Sequence, residues 1–392
     1  MKKLLTILLV CFATAISAQE RWTGTWATAP QATTDGNMPK TSLTGSAARQ
    51  IVHVSLGGDQ LRLQLSNEYS DAPLQIKSVY IADAQDSCDI NAKTARYLTF
   101  GKKRNVEIAA GKSVISDMVK YNLKPLQRFT ITINYGESPA KVTSHPGSRT
   151  TTYIIKGESK PRTSFANGER TDHWFNIATI DVKGGDAGCI AVLGNSITDG
   201  RGSTTNKQDR WTDVLAETLN ADGKPMGVLN LGIGGNFVVR YGLGDPALKR
   251  FDRDIMAQRG VNTLIIFEGV NDIGNSGNAE KTATELTDAY KVFIQKAHDK
   301  GLKVYGATIT PFKGHSYFTF FHEAARQAVN EWIRTSKELD GVIDFDKLVR
   351  DPQDPSRQQK DLQQDWLHPN AAGYKKMGEY AAKKIEEFRS DN

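Results

Sequence analysis

Apolar and polar positions alternate with a period of two through the first half of this 392-residue chain. Ile51-Val-His-Val-Ser-Leu56, Gln60-Leu-Arg-Leu-Gln-Leu65, Leu74-Gln-Ile-Lys-Ser-Val-Tyr-Ile81 and Phe129-Thr-Ile-Thr-Ile-Asn-Tyr135 each put apolar side chains on one face of an extended strand. Gly57-Gly58-Asp59 reads as the turn of a hairpin joining the first two. From Arg21 to about Asp181 hardly any segment has a helical period. Many short strands at regular spacing predict an all-β sandwich, jelly-roll-like in style.

The pattern changes after Gly188. Apolar runs at Cys189–Leu193, Gly227–Leu231, Thr263–Phe267, Lys303–Ile309 and Gly341–Phe345 alternate with amphipathic stretches. Those stretches predict helices over about 210–219, 246–258, 281–300, 320–339 and 371–388. Strands alternating with helices predict a parallel sheet covered on both faces. Five strands fit a flavodoxin-like three-layer α/β/α domain. The polar, glycine-containing stretch Asp181–Ala187 separates the two patterns, so the expected domains are 19–181 and 182–392.

The first residues have another grammar. Met1-Lys-Lys followed by the apolar run Leu4–Ala18 and small residues at its end reads as a signal peptide, 1–18. It is short for a membrane span. Val10 before Cys11 is too large for a lipoprotein cleavage site, so no stable membrane anchor is expected. The protein is expected to be exported, either periplasmic or secreted. Lys2 and Lys3 supply two of the +6 formal charges, and the rest are scattered without a basic stripe. That pattern does not suit nucleic acid. Beyond Cys11 only Cys88 and Cys189 remain, as a single bridge or as two thiols.

Residues able to do chemistry cluster just past the predicted parallel strands. Ser196, in Gly194-Asn-Ser-Ile-Thr-Asp-Gly200, follows the first. A serine in a strand-to-loop turn projects from the edge where open α/β sheets place ligands, but it needs a base and oxyanion donors to act as nucleophile. Gly234-Gly235-Asn236 follows the second, where glycine lets a backbone N–H face a site or simply makes a turn. Gly269-Val-Asn271-Asp272 follows the third; an asparagine amide suits an oxyanion or a helix cap. Near the end, Asp365-Trp-Leu-His368 allows a carboxylate to orient an imidazole, although a lone histidine before a helix is often a surface residue. No His/Cys cluster has zinc-ligand spacing, and neither metal nor cofactor is expected.

These four blocks, in this order, resemble those of the SGNH, or GDSL-type, hydrolases. The resemblance implies that Ser196 is the nucleophile, His368 the general base and Asp365 its orienting acid. It implies an oxyanion hole made by the Ser196 and Gly235 N–H groups and the Asn271 amide. One departure is Asn195, where the family usually has aspartate. Trp22-Thr-Gly-Thr-Trp-Ala-Thr-Ala-Pro30 and His145-Pro-Gly-Ser-Arg-Thr-Thr-Thr-Tyr153 resemble an exported two-domain branch similar to acetyl xylan esterases.

Arg210, Trp211, Phe237, Tyr241, His315, Tyr317 and Trp366 lie near strand-end loops. Such groups suit stacking on sugar rings or packing in a core. Arg210, Trp211, Tyr241 and Trp366 are the expected substrate contacts. The expected activity is removal of acetyl groups from carbohydrate. A broad esterase or lysophospholipase, and a non-catalytic glycan-binding protein, are the alternatives.

Overall fold

The computed structural model describes residues 21–184 and 188–390. The expected leader, 1–18, lies outside the described residues, as do residues 185–187 within the expected boundary.

The period-two half forms two antiparallel sheets. In one, Trp22–Ala27 pairs with Ile177–Lys183, which pairs with Gly58–Ser66; Ser113–Ile115 and Val119–Leu123 share the far edge of that strand. In the other, Ser46–His53 pairs with Arg128–Tyr135 on one side and Thr152–Lys156 on the other, and Arg128–Tyr135 also pairs with Leu74–Asp83. The inward residues of both sheets form one apolar core, including Val52, Leu63, Val79, Ile131 and Ile180. A small third sheet of Gln31–Ala32, Thr143–His145 and Trp174–Phe175 closes one end.

The expected hairpin at Gly57-Gly58-Asp59 does not form, because Ser46–His53 and Gly58–Ser66 lie in different sheets. The chain between them crosses over beside Trp22–Ala27, where Ser55 N–H donates to Thr25 O at 2.9 Å. The glycine is needed for a close crossing instead of a tight turn. A Cβ on Gly57 would stand 2.6 Å from the Leu123 carbonyl oxygen.

The second half is a five-stranded parallel sheet, with β1 Cys189–Gly194, β2 Gly227–Gly232, β3 Val261–Phe267, β4 Lys303–Ala307 and β5 Gly341–Ile343. The order is β2-β1-β3-β4-β5, the flavodoxin-like arrangement. Stepping left from β1 to β2 and then right to β5 by right-handed crossovers puts helices on both faces. Trp211–Ala221 packs on Ala371–Ser390, and Ala279–Asp299 packs on Phe320–Thr335. The expected helix over 246–258 is an α-helix, Ala247–Phe251, continued by a π-helical turn, Asp252–Met256. β5 ends before Phe345 because Asp344 caps a short helix there, accepting from Lys347 N–H at 3.1 Å.

Cys88 and Cys189 are separate buried thiols. Burial pushes the Cys189 thiol up to about 12, so it packs as a small apolar group.

Candidate active site

β1 ends at Gly194, and Ser196 begins a single helical turn, Ser196–Asp199. Gly194 is required there, since a Cβ would lie 2.2 Å from Thr198 Oγ1. Asn195 caps the turn, its Oδ1 accepting from Ile197 N–H at 3.0 Å. Gly200 leaves it at φ +99°, a left-handed conformation that favours glycine. Ser196 is thereby held in a tight elbow at the carboxyl end of β1.

The loop before the last helix brings His368 to it. Ser196 Oγ lies 2.8 Å from His368 Nε2, and His368 Nδ1 lies 2.9 Å from Asp365 Oδ2. Asp365 Oδ1 also accepts the backbone N–H groups of His368 at 2.8 Å and Leu367 at 3.1 Å. Partial burial pushes the Asp365 carboxyl up. The hydrogen bonds from His368 and Leu367 outweigh that and hold it well below the usual carboxylate range. An ionised carboxylate on Nδ1 leaves Nε2 free to take the serine proton.

Gly235, at φ +68°, and Asn271 line the same cavity as Ser196 and His368. The Asn271 amide is oriented at both ends: Nδ2 donates one hydrogen to Asn236 O at 2.8 Å, and Oδ1 accepts from the Tyr317 hydroxyl at 3.2 Å. Its second N–H is left for a ligand. Asp272 clamps the loop that carries Gly235 by accepting from Val238 N–H at 2.9 Å and Val239 N–H at 3.3 Å. Burial pushes its carboxyl up to about 6, against the pull of those two bonds.

Beneath the elbow lies Arg250, 1% exposed. It donates to Gly194 O at 3.1 Å, Leu231 O at 2.7 Å, Asn236 Oδ1 at 3.0 Å and Asp254 Oδ2 at 3.1 Å. Glu268 is buried beside it and accepts from Asn195 Nδ2 at 3.0 Å and Gly269 N–H at 2.9 Å. Burial pushes Glu268 up to about 8, against the pull of Arg250 at 3.9 Å and of the Gly269 and Asn195 hydrogen bonds.

The β-sandwich forms the opposite wall. The cavity, about 700 Å³, is lined by Gln31, Asn37, Tyr69, Gly147 and Arg149 from that half as well as by the loops of the parallel sheet. His145 bridges the halves: its Nε2 lies 2.8 Å from Asp199 Oδ1 and its Nδ1 2.9 Å from Ala29 O. Among the described residues no cluster of His, Cys, Asp or Glu could hold a metal ion, and no described helix is long and apolar enough to cross a membrane.

Of the expected substrate contacts, Tyr241 lines the cavity, as do His315 and Tyr317. Three others do not line it. Trp211 is fully buried against Phe267 and Phe345, because its helix packs that face on the sheet. Arg210 is 6% exposed and held by Asp213 and Gln208. Trp366, at φ +64°, wedges its ring over Gly314 behind the catalytic turn. Arg149, Arg250 and the His145–Asp199 pair were not anticipated, since each acts through partners distant in sequence.

An alcohol, an imidazole and a carboxylate in line at the carboxyl edge of a doubly wound sheet define an α/β hydrolytic site. Residues 192–376 match the model of the GDSL-like Lipase/Acylhydrolase family, and this half of the chain is a GDSL/SGNH-type hydrolase domain. Among solved structures, the psychrotrophic esterase EstA from Pseudoalteromonas sp. is similar at 19% identity, covering 52% of this chain and 99% of that one, with a TM-score of 0.40. A GDSL-like lipase from Bacteroides thetaiotaomicron is similar at 18%, covering 51% and 89%, with a TM-score of 0.38. The acetyl xylan esterase AlAXEase is similar at 18%, covering 50% and 98%, with a TM-score of 0.37. No curated protein matches the chain.

Proposed function

We propose that this protein is an exported serine esterase that removes acetyl groups from carbohydrate. The observation that carries the reading is the continuous line from Ser196 Oγ through His368 to Asp365, at 2.8 and 2.9 Å, opening into a cavity with amide donors. Ser196 attacks the ester carbonyl as His368 takes its proton. The oxyanion is held by the Ser196 and Gly235 N–H groups and the free N–H of Asn271. His368 then protonates the leaving alcohol, and a water activated by the same imidazole clears the acyl-serine. Three tyrosines, Tyr69, Tyr241 and Tyr317, line the cavity together with Gln31 and Asn37, and that mix of rings and amides supports a sugar as the alcohol. Two domains, 19–181 and 182–392, and cleavage after residue 18 are part of the same reading.

The test is acetate release from acetylated xylan, pectin and oligosaccharides, with Ser196→Ala as control. Acetate release by the wild type and none by the variant is expected. Faster cleavage of long acyl chains than of acetyl would favour a broad esterase, and sugar binding without any hydrolysis would overturn the enzymatic reading.

A further inference from the structure

Arg149 and Arg201 enter the cavity from opposite halves of the molecule. Arg201 follows the nucleophile turn. Its backbone is fixed at both ends, N–H to Ser196 O at 2.9 Å and carbonyl to the Tyr374 hydroxyl at 2.6 Å. Its side chain is exposed and makes no hydrogen bond or ion pair among the described residues. Arg149 sits on the sandwich loop at φ +50°, an unfavourable conformation for a non-glycine residue. Asn206 N–H donates to its carbonyl at 2.9 Å and Ser148 closes the turn around it. Its Nε is buried without a partner, and Nη2 reaches Asp199 only at 3.5 Å. Asp199 in turn is held more closely by His145. Strained backbone that aims a partly unsatisfied guanidinium into a cavity is typical of a ligand clamp.

The chemistry assigns which part of a substrate would meet this pair. His368 Nε2 must reach the leaving oxygen, so the alcohol half lies on the His368 side of the ester. The loop carrying Arg201 is pressed against the His368 turn; a Cβ on Gly202 would lie 2.2 Å from Pro369 O. The other carboxylates lining the cavity are already engaged, Asp365 by His368 and Asp245 by Tyr69 and Lys249.

We propose that Arg149 and Arg201 form a subsite for a carboxylate on the alcohol half of the ester, so that the substrate is an acetylated oligosaccharide containing a uronic acid. Planar, always-charged guanidinium groups match a carboxylate in two-pronged geometry, which lysine or a neutral side chain does not. The proposal rests on the esterase reading for the direction of the substrate but not for the binding of the acid.

Two measurements test it. First, kcat/KM is compared for an acetylated uronic-acid-containing oligosaccharide and its neutral counterpart, at low and high salt. A preference of about tenfold or more for the acidic ester is expected, weakening in salt. Arg201→Gln, and separately Arg149→Lys, should collapse that ratio, mainly through KM. Equal rates for both esters, or a preference that neither variant changes, would overturn the proposal. Second, calorimetry of Ser196→Ala with the deacetylated acidic and neutral oligosaccharides reads the subsite without chemistry. Tighter binding of the acidic one that is lost in Ser196→Ala/Arg201→Gln supports the subsite even if no ester is cleaved. Ester cleavage with no difference in binding removes the subsite and leaves the esterase reading standing.

Discussion

Asn195 shows how one residue changes the chemistry beneath the site. Its Oδ1 caps the nucleophile turn and its Nδ2 donates to Glu268, so the side chain uses both ends of its amide. An aspartate would keep the cap but set a second carboxyl against a buried first one. Glu268 has a folded-state pKa of about 8 against an ordinary 4.5. The folded protein therefore holds this proton more tightly than the unfolded chain. The stability it contributes is full below about pH 4.5 and is lost as pH rises through about 8. Thermal denaturation should show Tm falling between about pH 4.5 and 8, and falling less in Glu268→Gln; parallel slopes would remove Glu268 as the cause. Tyr317 acts on the other side of the site, through the Asn271 amide. On the proposed mechanism Asn271→Ala removes an oxyanion donor and should lower kcat by about 10²–10³-fold. Tyr317→Phe frees the amide to rotate and should lower kcat by about tenfold, the loss of one positioning hydrogen bond. A Tyr317→Phe effect confined to KM would make that tyrosine a substrate contact only.

At the scale of elements, three strand-end loops must converge, and Arg250 ties them together. One guanidinium joins the end of β1 at Gly194, the end of β2 at Leu231 and the loop side chain Asn236. Asn236 passes the constraint to Asn271 through its carbonyl. Arg250→Lys retains charge but supplies a point donor where a fork is needed. Asp254 would keep Arg253, which donates to it at 2.6 and 3.1 Å, so the loss falls on the Gly194 and Leu231 carbonyls and on Asn236. A buried acceptor left without its donor costs about 1–3 kcal/mol, and Arg250→Lys should lose about that much in urea denaturation. Activity should fall through kcat, and unchanged kcat in a folded variant would exclude a positioning role. Nothing in the sequence marked Arg250, which reads as one more basic residue on a helix. The apolar runs of the parallel sheet were legible because strands buried on both faces admit little else, as in Cys189–Gly194. The four loop blocks were legible for a related reason, as glycine and a few polar types sit where strands end. Trp211 was misread as a substrate contact because an aromatic beside a loop and one packed under it look alike locally. The crossing at Gly57 looked like a hairpin for the same reason, since two adjacent strands do not say which sheet each joins.

The two halves keep separate apolar cores but meet along a close seam, and this bears on catalysis. Ala27 and Ala29 of the sandwich belong to the apolar core of the hydrolase sheet, and Gly24 lies so close to β2 that a Cβ on it would meet Leu229 at 2.9 Å. Gly24 N–H donates to Arg259 O at 2.9 Å, Val228 N–H donates to Ser55 Oγ at 2.9 Å, and the Tyr69 hydroxyl donates to Asp245 at 2.9 Å. The His145–Asp199 contact, with a longer one from Arg149, reaches the turn that carries Ser196, because Asp199 lies in the same helical turn. No local period could reveal it, as 54 residues separate the partners. His145→Phe keeps a ring to stack near Trp174, which lies 5.9 Å away between centroids, but leaves Asp199 buried with only the long contact to Arg149. Breaking a buried pair in this way should destabilise the protein by about 3–5 kcal/mol. It should also lower kcat/KM on a small ester, because the turn that aims Ser196 loses its anchor. Double-mutant analysis with Asp199→Asn separates the two effects: if the contact couples the halves, the second substitution adds little to the first. Full additivity of the losses would mean that His145 and Asp199 act independently and that the sandwich is only a wall of the cleft.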